Sequence, residues 1–154
     1  MGIGSIKQLG NRLHRENEMS HSYTDLMVWQ KSMALVRAIY PATQKFPREE
    51  AYGLKDQLRR AAVCVSSNIA EGRGRLTTNE FRHFLAQARG SMHEIETQLV
   101  IASDLKYFDE ITATDLLNSA GEVSRMLDRL INSIPPGKSI SHPETGNWKL
   151  ETRK

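Results

Sequence analysis

Apolar residues recur three and four positions apart over four long stretches of this 154-residue chain, and that spacing constrains its fold more than any other feature. Leu26, Trp29, Met33, Val36 and Tyr40 form the first series, and Leu54, Leu58, Ala61 and Val65 the second. Phe81, Leu85, Ala88, Met92, Ile95, Leu99 and Ala102 form the third, and Leu116, Ala120, Val123, Leu127, Leu130 and Ile134 the fourth. A helix turns once in 3.6 residues, so each series lies along one face. Alternation with period two is nowhere sustained, which excludes half-buried strands. The spacing predicts an all-α protein of four amphipathic helices.

Local signals set the boundaries. Thr77-Thr-Asn-Glu80 is a capping box, with Leu76 and Phe81 at the positions of a hydrophobic staple. Gly72 and Gly74 are placed to end the preceding helix in the left-handed conformation. Pro41 and Pro47 bracket the first connection, and Pro135-Pro-Gly137 stops the fourth helix. The third helix, about Thr78 to Asp104, would be roughly 40 Å long at 1.5 Å per residue. Short connections force neighbours to run antiparallel, giving an up-down-up-down bundle. Residues 23–135 are therefore assigned to the bundle, and residues 1–22 and 136–154, which lack a sustained apolar face, to two flexible arms.

Composition narrows the class further. Of the residues, 25% are charged and 39% hydrophobic, ordinary for a soluble globular domain. The single cysteine, Cys64, excludes a disulfide scaffold and suits a reducing cytoplasm. The longest charge-free stretch near the middle, Ala61 to Ala70, falls well short of the about 20 residues a membrane span needs. The N-terminus has no apolar core of a secretory signal, so a cytoplasmic location is expected. The net charge of +3 is unevenly distributed. Residues 52–93 carry 7 basic and 3 acidic groups, whereas residues 94–134 carry 3 and 8.

The most distinctive segment is Arg59-Arg-Ala-Ala-Val-Cys-Val-Ser-Ser-Asn-Ile-Ala-Glu-Gly-Arg-Gly-Arg75. Asn68 falls three residues after Val65 and is expected on the apolar seam, where a buried amide needs partners. Ser66, Ser67, Gly90 and Ser91 are small and permit close helix approach. A glycine inside a helix costs about 1 kcal/mol against alanine, which points to tight packing at Gly90. Glu71 is positioned to pair with Arg73 or Arg75.

Together with Tyr23-Thr-Asp-Leu-Met-Val-Trp29, Phe46-Pro47, Tyr52-Gly-Leu54, Glu80-Phe81, Phe84-Leu85 and Gly90-Ser-Met-His-Glu-Ile-Glu-Thr-Gln-Leu99, this segment resembles a bacterial family. These are the four-helix-bundle proteins encoded in intervening sequences of the large-subunit (23S) ribosomal RNA gene. The chain is also similar to the accessory variability determinant of diversity-generating retroelements. The resemblance spans roughly residues 23–134, with Ser-Asn-Ile-Ala-Glu-Gly its most specific part. It implies a protomer that assembles into a ring-like homopentamer, with a nucleic-acid, ribonucleoprotein or reverse-transcriptase-like partner. It supplies no catalytic residue and no cofactor.

The arginines carry the functional reading. Gly72-Arg-Gly-Arg75 precedes a helix N-terminus, where exposed amides and the helix dipole favour anions. Arg75, Arg82 and Arg89 are seven apart and share one stripe of the third helix. In an antiparallel pair turning near residue 74, Arg59 and Arg60 lie level with Arg89 and Ala88. The candidate nucleic-acid contacts are thus Arg59, Arg60, Arg73, Arg75, Arg82 and Arg89, whose planar forks suit phosphate. Asn68, Glu71, Gly72 and Gly90 are the accompanying structural motif. No aromatic residues interleave the arginines, so structured RNA or duplex is favoured over stacked single strands. The competing expectation is a protein-interaction scaffold, in which acidic residues of the fourth helix (Asp115, Glu122, Asp128) absorb these charges.

Other chemistries are not supported. Glu80-x-x-His83 has the spacing of di-iron bundles, but His83 lies about 200° round from the seam residue Phe81, and Glu18-x-x-His21 falls in an arm, so no metal site is assigned. Cys64 and His93 neighbour no nucleophile–base arrangement. Pro135-Pro-Gly-Lys-Ser139 has the ending of a phosphate loop but follows a helix rather than a strand. A non-enzymatic, oligomeric bundle is the resulting expectation.

Overall fold

The computed structural model describes residues 22–136, so nearly all of both arms lies outside the described residues. Four helices form: α1 (Met27–Ala42), α2 (Leu54–Arg73), α3 (Thr78–Asp104) and α4 (Glu110–Ser133). No strand occurs among the described residues. α1 packs on α2 and α4, and α3 packs on α2 and α4, with α2–α3 the most extensive pairing. The spatial order α1–α2–α3–α4 around one core is the up-down-up-down bundle the spacing predicts.

Three of the four seams run where the periodicity puts them. Leu58, Ala61 and Val65 of α2 are buried, and so are Leu85 through Ala102 of the α3 series, while Leu116, Ala120, Val123 and Leu127 complete the core from α4. Ile131 takes the last buried place in α4, leaving Leu130 and Ile134 half-buried. Each large side chain fully buried in this way contributes roughly 1.5–3 kcal/mol.

α1 is the exception. It buries Val28, Ser32, Leu35 and Ile39, one residue out of step with the predicted series. Trp29 and Val36 sit half-buried on the flank, and Tyr40 is exposed. The polar Ser32 conceals this seam in the sequence. Its hydroxyl donates to the Trp29 carbonyl at 2.7 Å and lies 3.0 Å from the Ser66 hydroxyl on α2. Two small, mutually satisfied hydroxyls let the helices approach without stranding a polar group. Ser66 thus acts as expected, whereas Ser67 is exposed. Asn68 is half-buried beside the seam rather than on it, because Ile69 and Gly72 continue the buried line from Val65.

The far end of the bundle holds the α1–α2 and α3–α4 connections. Pro41 lies inside the last turn of α1 rather than beyond it. α3 closes with Lys106 at φ 60°, and the Tyr107 and Lys106 amides donate to the Ala102 and Ser103 carbonyls at 2.9 and 3.0 Å. This is a Schellman ending with lysine where glycine is usual. Phe46 packs on Tyr107 and Phe108, ring centroids 5.1 and 5.0 Å apart. Glu50 accepts the Leu54 amide at 2.8 Å with one oxygen and the Tyr107 hydroxyl at 3.3 Å with the other. Asp109 caps α4 by accepting the Thr112 amide at 2.8 Å.

Candidate nucleic-acid interface

The opposite end of the bundle carries the α2–α3 turn. α2 ends without a left-handed glycine: Gly74 has φ −79°, and its amide donates to the Ala70 and Glu71 carbonyls. Gly72 is needed for proximity instead. A Cβ there would stand 2.6 Å from the Phe84 Cβ and 3.0 Å from the Phe81 ring, so only glycine lets α2 and α3 touch at this height. α3 then starts at the Thr77 cap, whose hydroxyl accepts the Glu80 amide at 3.2 Å. The Glu80 carboxylate answers by accepting from that hydroxyl at 2.6 Å. Leu76 is 99% exposed, so the predicted staple with Phe81 does not form.

Two of the six candidate arginines sit at this turn. Arg75 pairs with Glu71, settling which arginine that carboxylate takes, and its guanidinium stacks 4.6 Å from the Phe84 ring centroid. Arg73 lies over the Phe81 ring at 6.0 Å. Both line an open hollow of about 370 Å³, with Gly72, Thr77 and Thr78 on one side and Ile134 of the α4 end on the other. Arginine planes steadied on aromatic faces, beside the first turn of a helix, form an arrangement suited to a phosphate oxyanion.

The remaining four are dispersed. Arg59 turns into the α1–α2 groove, where its Nε donates to the Thr43 hydroxyl and its Nη2 to the Tyr40 carbonyl, both at 2.8 Å. Its guanidinium also covers the Tyr40 ring at 4.7 Å. Arg82 turns to the other side, where its Nη1 donates to the Ile131 carbonyl at 2.6 Å and to the Ile134 carbonyl. Each arginine therefore closes a helix C-terminus, satisfying carbonyls that have no partner in the helix. Arg89 reaches Asp128 of α4 at 3.6 Å, and Lys31 of α1 holds Glu122 at 2.9 Å. The acidic helix thus takes up one stripe arginine, as the scaffold alternative expects.

Arg60 is exposed and borders a second hollow of about 420 Å³ with Gln57, Ala61, Cys64 and Glu94, more than a helical turn further along α3 than the expected Ala88. The predicted level placed the pivot at residue 74, whereas α2 runs to Arg73 and the connection extends to Thr77. Axial offset depends on side-chain packing at Gly72, which periodicity does not encode. Gly90, expected in a tight contact, faces open space: nothing lies within 4 Å of a built Cβ. Two arginines outside the expected face, Arg125 and Arg129, are also exposed, on α4. Their spacing of four, off the apolar seam, was the available signal.

Among the described residues no group of three or more His, Cys, Asp or Glu is arranged to hold a metal. His83 is exposed, its Nε2 3.1 Å from the Gln87 amide nitrogen. No described helix is long and apolar enough to cross a membrane.

Residues 24–129 match the family model described as 23S rRNA-intervening sequence protein. The chain belongs to that family. Among solved structures it is similar to a protein of unknown function from the S23 ribosomal protein family of Bacteroides thetaiotaomicron, at 20% identity and a TM-score of 0.63. The match covers 68% of this chain and 95% of the other, and at that identity it shows a shared fold. Comparison with curated proteins gives no match. The motif from Arg59 to Arg75 lies wholly inside the family match, whereas the arms lie outside it.

Proposed function

We propose that this intervening-sequence family member is a non-enzymatic, oligomeric accessory protein that holds the phosphate backbone of structured RNA or duplex nucleic acid at its α2–α3 turn. The observation that carries the reading is the open hollow where Arg73 and Arg75 meet the first turn of α3. The family's description, which ties it to a ribosomal RNA gene, supports the same partner class. Arg59 and Arg82 serve the fold, so the phosphate contacts of this reading are the turn pair, with Arg60 apart from them. In a ring of identical subunits, five by the resemblance, each weak contact is repeated, so affinity grows by avidity. By the likeness to the retroelement determinant, the complex also holds a reverse-transcriptase-like or ribonucleoprotein partner in the cytoplasm.

A second reading, a protein-interaction scaffold without nucleic-acid binding, is favoured by the exposed apolar residues Val100, Ile101 and Leu105 at the end of α3. Fluorescence-anisotropy titration against an RNA hairpin and a DNA duplex separates the two. The nucleic-acid reading expects micromolar or tighter binding that weakens steeply as salt rises. Arg73→Gln with Arg75→Gln should weaken it about tenfold or more, in line with two lost phosphate contacts. Absence of binding at low salt overturns this reading in favour of the scaffold.

A further inference from the structure

Leu76 is 99% exposed between the end of α2 and the start of α3, so its side chain contributes nothing to the core. A lone exposed leucine is ordinary on a protein surface. The surroundings of this one are not. It borders the same hollow of about 370 Å³ as Arg73 and Arg75, and Ile134 and Pro135 continue the apolar lining at the end of α4. A fully solvated apolar side chain thus stands beside two guanidinium groups.

The backbone on both sides of Leu76 is tied down. Before it, the Gly74 amide donates to the Ala70 and Glu71 carbonyls, and the Arg75 amide donates to the Gly72 carbonyl at 3.1 Å. After it, the Phe81 amide donates to the Thr77 carbonyl at 3.1 Å, and the Thr77 hydroxyl accepts the Glu80 amide at 3.2 Å. The neighbouring guanidiniums lie against the Phe81 and Phe84 rings. Contact at this tip therefore orders little of the chain, which keeps its entropic cost low.

We infer that Leu76 is an apolar wedge that enters the gap beside an unpaired nucleotide in an RNA helix, while Arg73 and Arg75 hold the phosphates next to that gap. This deepens the proposed function and rests on it. The energetics select that partner. Complete burial of a leucine is worth roughly ten- to a hundredfold in affinity. Opening an intact base step cancels a gain of that order, because unstacking costs about as much. A helix interrupted by an unpaired nucleotide is already open at that step, so the gain is kept, and proteins commonly recognise RNA at such bulges. Leucine has no π face, so it suits a vacated space better than stacking along a single strand.

The test uses two RNA hairpins of identical stem and loop, one of them carrying a single unpaired nucleotide in the stem. Each is titrated by anisotropy at low salt with the full chain and with its Leu76→Ala variant. The unsubstituted chain should bind the bulged hairpin about tenfold more tightly than the intact one. Leu76→Ala should lose most of that preference and hold the intact hairpin within about twofold, because the phosphate contacts remain. Equal affinity of the unsubstituted chain for both hairpins overturns the wedge and leaves the phosphate site standing. A preference that survives Leu76→Ala overturns it too, since another group then reads the gap. So does a variant that weakens on both hairpins alike. If the unsubstituted chain binds neither hairpin, the proposed function itself falls, and the wedge with it.

Discussion

The two ends of the bundle carry hollows of similar size, about 370 Å³ at the α2–α3 turn and about 380 Å³ at the far end. Their linings differ in kind. At the turn, two arginines and a helix start surround the space, and Leu76 projects almost fully into solvent. At the far end, Ala38, Pro41, Ala42 and Phe108 line it, with Lys45 and Asp109 at the edge, above a packed trio of aromatic rings. One end is closed by burial of apolar surface and by carboxylates with assigned tasks. The other leaves charge and backbone amides turned outward. A bundle needs only one stiff end to hold its helices in register, so its other end is available for contacts with something else.

The sharpest way to break that comparison is truncation of one apolar residue from each end. Phe108→Ala removes a buried ring from the far-end trio and should cost about 3–5 kcal/mol. Leu76→Ala removes an exposed side chain that meets no core and should stay within about 0.5 kcal/mol. Urea denaturation midpoints with unchanged slopes would report both. Comparable losses would mean that the turn end is as much a packed structure as the far end, and the division of labour would fall.

A smaller effect separates two glycines on the same helix pair. Gly72→Ala drives a methyl into Phe84 and should destabilise by about 1–3 kcal/mol, because the backbones must part. Gly90→Ala meets open space on a helix and should stabilise by about 1 kcal/mol. If the protein assembles through the face that holds Gly90, the same methyl would weaken the oligomer while the isolated fold gains, a split that sedimentation and denaturation read separately. If Gly72→Ala is harmless, close approach does not explain the turn.

These residues also mark how far the sequence was legible. Helix number, the bounds of α3 and three of four seams followed from spacing, because burial of a stripe is a property of one helix alone. The α1 seam was missed because Ser32 becomes a core residue only when Ser66 arrives from α2. The arginine stripe looked continuous for the same reason. Only Arg82 and Arg89 share a face of α3, because Arg75 lies ahead of its first turn and pairs with Glu71, while Arg82 meets the carbonyls of α4 and Arg89 meets Asp128. Which charges remain available is a property of neighbours, and neighbours are fixed by axial offset. The sequence points to tight approach at Gly90 and to a left-handed helix end at Gly72, and only the partner helix shows that the close contact belongs to Gly72.

The smallest predicted effect concerns titration, and it belongs to the far end. Asp109 is held below the ordinary carboxylate range, first by the Thr112 amide it accepts and then by the Thr112 hydroxyl. Its contribution is therefore present above about pH 4 and is lost as pH falls through the lowered folded value. Tyr107 is pushed above the ordinary tyrosine value, first by desolvation and then by the negative charge of Glu50. The folded state keeps that proton longer than the unfolded chain does. Its contribution is therefore present below about pH 10 and is lost as pH rises toward the folded value. The same end should loosen from both extremes of pH. Melting temperatures of the chain and of Asp109→Asn and Tyr107→Phe, taken across the two windows, provide the check. Asp109→Asn should flatten the acid limb only, and Tyr107→Phe the alkaline limb only. Should either substitution leave its limb as steep as before, the pH response lies elsewhere, and the far end would lose one of the two features that set it apart from the turn.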